Sequence, residues 1–156
     1  MKVIRKLNHF HLSFTLTEFL IVIAILVTLA LISIPVFRVL WPAFELSGAI
    51  RNLSTDLHYA QQLAVTEQIN HGVHFTSSTN QHKYEMIKYN STTTIIQSRT
   101  FPEKIQFHQI SFSNNEVKFN PYGAAYEEGE ITLINISNNE TSTIEVRPSG
   151  FVRIIK

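Results

Sequence analysis

The stretch "SFTLTEFLIVIAILVTLALISIPVF", residues 13 to 37, decides how the rest of the chain is read. It holds one charge, Glu18, at the head of an otherwise apolar run that lasts until Arg38. From Phe14 to Phe37 such a run makes about 36 Å of helix at 1.5 Å per residue, enough to cross a hydrocarbon core of about 30 Å. Lys2, Arg5 and Lys6 precede it with no acid before Glu18, which predicts a cytoplasmic N-terminus and an exported C-terminal part. A carboxylate inside hydrocarbon costs roughly 2.5–3.5 kcal/mol on insertion scales. A plain signal anchor leaves that cost unexplained. A cleaved secretory signal has a shorter apolar core and a small-x-small site, and Ile34-Pro35-Val36-Phe37 offers none. A buried core helix does not account for the basic flank.

The segment resembles the N-terminal signature of type IV pilins and of the related pseudopilins of type II secretion and DNA-uptake machines. That signature is a short basic leader, a small residue, then Phe, Thr, Leu, any residue and Glu, followed by a long apolar helix. Here the leader is residues 1–13 and "FTLTE" runs from Phe14 to Glu18. The resemblance implies cleavage between Ser13 and Phe14 by a prepilin peptidase, N-methylation of Phe14, and pairing of Glu18 with the α-amino group of Phe14 in the same or a neighbouring subunit during assembly. An ammonium partner would offset the cost of the carboxylate. Pro35 stands where the family commonly has a helix-kinking proline. The family usually has Gly before the cut, where this chain has Ser13, another small residue. The partners implied are other pilin or pseudopilin subunits, the prepilin peptidase, an inner-membrane assembly platform and membrane lipid.

The remaining sequence supplies one exported domain. The chain has 156 residues and a formal net charge of +1. From Phe14 onward ten Lys and Arg stand against twelve Asp and Glu, a balance that attracts no phosphate backbone overall. The absence of cysteine excludes disulfides, a cysteine nucleophile and thiolate metal sites. Leu46, Ile50, Leu53, Leu57, Ala60 and Ala64 recur at spacings of four and three, which marks one face of a helix over 44–69. Arg51, Asp56, Gln61 and Glu67 lie off this stripe. Pro42 predicts a kink or short break, and Gly72 offers a left-handed C-cap after Asn70-His71. From there "GVHFT", "KYEMIKY", "TTIIQSR", "IQFHQISF", "VKFN", "ITLINI", "STIEVR" and "FVRII" are short, β-branched or aromatic, and separated by turn clusters. About seven strands of antiparallel sheet over 72–156 would cover the stripe. The fold expected is α+β and pilin-like: leader 1–13, membrane and filament-core helix 14–40, globular domain 41–156.

"DLHYAQQLAVTEQINHGVHF" and the closing "TSTIEVRPSGFVRI" resemble the helix-to-strand segment and final hairpin of H-type pseudopilins and FimT-like minor pilins. Some FimT-like proteins bind DNA through basic residues near this end. Arg147, Arg153 and Lys156 are the candidates here, and three solvated charges are the plainer reading.

Chemistry is otherwise sparse. His71-Gly72-Val73-His74 has a metal-pair spacing without an accompanying acid or cysteine, and reads as exposed histidines at a helix-to-strand junction. Glu127-Glu128-Gly129-Glu130 lacks calcium-loop spacing and reads as a charged turn. Gly48 alone among the five glycines fits no obvious turn, cap or packing role. No cofactor motif and no catalytic constellation stands out. The function expected is a structural subunit, and a minor one, of a type IV pilus, a type II secretion pseudopilus or a competence filament. The alternative is a signal-anchored surface protein whose β domain binds a ligand or partner without polymerising.

Overall fold

The computed structural model describes residues 15–78 and 81–155. Ser13, Phe14 and Lys156 lie outside the described residues. Helix α1 spans Leu16–Glu67, 52 residues. Its first turn is closed by a capping box: the Glu18 N–H donates to Thr15 Oγ1 at 3.2 Å, and Glu18 Oε2 faces the Thr15 N–H at 3.5 Å. The chain divides into two compact units at Val39 and Leu40.

In the first unit, residues Leu16–Pro35 have a mean hydropathy of 2.6 and none of them is buried inside the protein. This helix is long and apolar enough to cross a membrane.

The second unit holds the rest of α1 and eight strands: β1 Asn70–Ser78, β2 Gln81–Tyr89, β3 Thr93–Thr100, β4 Ile105–Ile110, β5 Glu116–Phe119, β6 Gly129–Asn135, β7 Glu140–Val146 and β8 Val152–Ile155. Each of the eight sequence segments that looked like a strand is one. They form two antiparallel four-stranded sheets, ordered β3-β2-β1-β5 and β4-β6-β7-β8, where about seven strands were expected. The chain leaves the first sheet at Phe101-Pro102, and β4 then pairs with β6. One apolar cluster joins the helix to both sheets. Leu53, Leu57, Ala60 and Ala64 are fully buried in it, with Val73, Phe75, Phe119, Leu133 and Ile144. An aromatic chain stitches the sheets together: Phe107 of β4 meets Phe75 of β1 and Phe101 edge-on, with ring centroids 5.6 and 5.2 Å apart.

Two local expectations, the break at Pro42 and the cap at Gly72, need correction. Helix α1 continues unbroken through Pro42, and the buried Asn135 side chain donates to the Pro42 carbonyl at 2.9 Å. The left-handed residue after the helix is Gln68, with φ 55°, because the chain turns earlier than the glycine suggested. Gly72 lies inside β1, where a Cβ would stand 2.5 Å from the Val117 carbonyl oxygen of β5. Its missing side chain lets those two strands approach.

Candidate assembly site

The sequence placed its processing and assembly residues at the head of α1. Glu18 sits in the first helical turn, where the partial positive charge of the free amides favours a carboxylate. With Thr15 it forms the capping box described above. Both oxygens of such a carboxylate cannot be satisfied by one backbone N–H, so acceptor capacity remains for a further donor. Pro35 lies within α1, in the same unit.

Of the basic candidates near the C-terminus, Arg147 and Arg153 are both paired, and Lys156 lies outside the described residues. Arg147 Nε donates to Glu145 Oε1 and Arg153 Nη2 to Glu145 Oε2, both at 2.9 Å. The Arg147 hydrogen bond, then Arg153, holds the Glu145 carboxyl below the usual carboxylate range. Two guanidinium groups share one carboxylate, which halves the positive charge offered to a phosphate.

Several functional-looking polar residues turn out to be structural ties. Asp56, which lies off the apolar stripe, is nevertheless buried, at 6% exposure. Its Oδ2 accepts from the Tyr84 hydroxyl at 2.7 Å and pairs with Arg99 Nε at 2.8 Å, which links α1 to β2 and the edge strand β3. Burial, reinforced by the Asp56 carboxylate, pushes the Tyr84 hydroxyl far above its ordinary pKa. His71 is buried rather than exposed at the junction. Its Nδ1 lies 2.9 Å from the Ile69 carbonyl, an atom that can only accept, so Nδ1 carries the proton. Its Nε2 stands 3.3 Å from Glu67, whose carboxylate is held 2.6 Å from Lys88. His74 is half-buried or deeper on β1, three residues further along the strand. Among the described residues no three His, Asp or Glu side chains converge as metal ligands. Glu127 accepts from the Ser113 N–H at 3.1 Å and so anchors its loop.

A further tie gave no signal in the sequence. Gln61 Nε2 donates to the carbonyls of Gly123 at 2.7 Å and Gly150 at 3.0 Å. Both glycines have φ 80°, and a Cβ on Gly150 would fall 2.0 Å from the Gly123 oxygen. One side chain of α1 therefore pins two turns that only glycine can bring so close.

Two solved structures share the fold. The Pseudomonas aeruginosa type IV minor pilin FimU superposes with a TM-score of 0.60 at 10% identity, covering 73% of this chain and 90% of that one. The Vibrio cholerae minor pseudopilin EpsH of the type 2 secretion system gives 0.59 at 12% identity, covering 71% and 96%. No curated protein matches. The family model described as type II transport protein GspH matches residues 49–150, well over half of the sequence, beginning on the α1 stripe and ending at the Gly150 turn. The chain belongs to the GspH family of pilin-like subunits.

Proposed function

We propose that this chain is a minor structural subunit of a pilus or pseudopilus, inserted in the cytoplasmic membrane by the first half of α1 and built into the filament after loss of residues 1–13. The observation that carries this reading is one chain holding both a GspH-type domain and an apolar helix that opens on Glu18. The N-terminus stays in the cytoplasm and the β domain is exported, as the three leader bases favour. A prepilin peptidase cuts between Ser13 and Phe14 and Phe14 is N-methylated. The new ammonium then lies beside the capping box, where Glu18 has acceptor capacity left. Pairing with the Phe14 ammonium of a neighbour removes two uncompensated charges from lipid at once. Pro35 would kink the membrane helix by withholding an N–H from the helical ladder.

Coexpression with a prepilin peptidase tests the processing. Intact mass should fall by residues 1–13 and rise by one methyl group on Phe14, and Ser13→Gly should cut as fast or faster. A chain that keeps Met1 beside its own peptidase refutes the cleavage. Glu18→Ala should insert as well as the parent while its share in sheared filaments drops sharply. Equal incorporation refutes the assigned role of the carboxylate.

A further inference from the structure

The two sheets end in the edge strands β3, β5, β4 and β8. An edge presents unpaired N–H and C=O groups, which proteins ordinarily shorten, cover or guard with charge. Three of these edges are managed in that way. β5 has only four residues, its Lys118 carbonyl accepts the Tyr126 N–H at 3.0 Å, and Ala125 bridges its Phe119. On β4 the Phe107 N–H donates to the His82 ring at 3.3 Å. β8 also has four residues and carries Arg153, bound to Glu145. β3 is different. Its eight residues lie at the surface, and only Gln97 is even half-buried. It holds no proline, acid or lysine, and its one cation, Arg99, is paired with Asp56. Ile96 breaks the register with β2, which leaves Gln97–Thr100 as a regular stretch with its outer side open. Gln97 and Arg99 stand opposite the buried Met86 and Tyr84, so they lie on the sheet face turned towards α1. On that face a groove of about 350 Å³ lies between Phe44 of α1 and the run from Arg99 to Pro102.

We propose that β3 accepts an added β-strand along Gln97–Thr100, supplied by an extended, uncharged segment of another polypeptide whose alternate side chains enter the groove beside α1. The inference goes beyond the filament reading and does not depend on it. The main chain sets the kind of partner, because a row of free N–H and C=O groups is matched along its length by another extended backbone. The side chains narrow the choice. Residues of the new strand opposite Gln97 and Arg99 share their face and so enter the groove, where Phe44, Phe101 and Pro102 suit apolar groups. Arg99 is already paired with Asp56 and Glu45 already accepts from the Trp41 indole N–H, so a charged residue entering there would lose its water and gain no ion pair.

The test pans a displayed library of random nine-residue peptides against the full chain in detergent. The recovered peptides should be uncharged, with apolar residues at every second position. Methylating two adjacent amides at the centre of such a peptide should weaken its binding at least tenfold, since neighbouring amides face opposite edges of a strand and either edge is then spoiled. With the peptide bound, amide exchange at Gln97–Thr100 should slow at least tenfold while exchange at Val152–Ile155 stays as it was. Because the chain has no cysteine, Ser98→Cys gives a single reporter. It should form a disulfide with a peptide carrying one central cysteine, while Tyr126→Cys, at a position 58% exposed in the parent, should not. Recovery of no peptide, recovery of charged or proline-rich ones, full tolerance of the methylated amides, or protection away from β3 overturns the proposal. Protection of Gln97–Thr100 that grows with chain concentration in the absence of peptide makes a second copy the occupant, and overturns the choice of partner. None of these outcomes touches incorporation into filaments, so the filament reading stands or falls separately.

Discussion

Replacing Asp56 with alanine removes the buried carboxylate that ties α1 to Tyr84 and Arg99 of the first sheet. Asp56 and Tyr84 are buried, at 6% and 3% exposure, and their hydrogen bond is 2.7 Å long. A buried hydrogen bond to a charged acceptor contributes about 1.5–3 kcal/mol. Arg99 is half exposed at 46%, so its ion pair with Asp56 is screened and adds no more than about 1 kcal/mol. The sum is about 3 kcal/mol, which lowers Tm by about 10 °C for a domain of this size. Tyr84→Phe should cost about half as much, since the ring stays packed against Phe101 at 5.2 Å and Asp56 keeps Arg99. The assay is thermal unfolding of the full chain in detergent, followed by near-ultraviolet circular dichroism, for the parent, both single variants and the double variant. Because one hydrogen bond is lost in either single change, the double variant should be scarcely less stable than Asp56→Ala alone. Strictly additive losses would show that the two side chains do not act as a pair, and a loss below about 1 kcal/mol in Asp56→Ala would refute the estimate of its buried bond.

Leu57→Asp should abolish the folded β domain, because a lone carboxylate at a position with no exposed surface has no partner; a cooperative unfolding transition near the parent's would contradict this. Gly72→Ala should lower Tm by several degrees, since its Cβ would meet backbone at 2.5 Å and the β1–β5 pairing must shift; an unchanged Tm would show that the strands part freely. Burial holds the His82 pKa below its ordinary value of 6.5, and Nδ1 accepts the Phe107 N–H at 3.3 Å only when unprotonated. The unfolded chain therefore binds this proton more readily than the folded one, so stability is flat above pH 6.5 and falls as pH drops from there towards the folded pKa. His82→Asn should flatten that limb, as read from denaturant midpoints at pH 7.5 and 5.5, and an identical fall in the variant would place the titration elsewhere.

What the chain's own order of residues determined is whatever depends on near neighbours. Apolar residues three and four apart make a helical stripe whatever surrounds them, and all six stripe positions from Leu46 to Ala64 are buried. Short β-branched or aromatic segments between turn clusters fall on all eight strands, although about seven strands were expected. The long apolar run headed by Glu18 is likewise a local statement about length and charge. The tertiary structure decided everything that needs a distant partner. Two sheets form because β4 finds β6 rather than β3, and no local pattern encodes that choice. Asp56 read only as a residue off the stripe and His71 as an exposed one, because burial is a property of what covers a side chain, and the partners of Asp56 arrive from β2 and β3. Gly72 looked like a helix cap since nothing beside it in sequence reveals the Val117 carbonyl across the sheet. Gln61 gave no signal at all: the carbonyls it holds belong to residues 62 and 89 positions further along the chain, and only folding brings them within one side chain's reach.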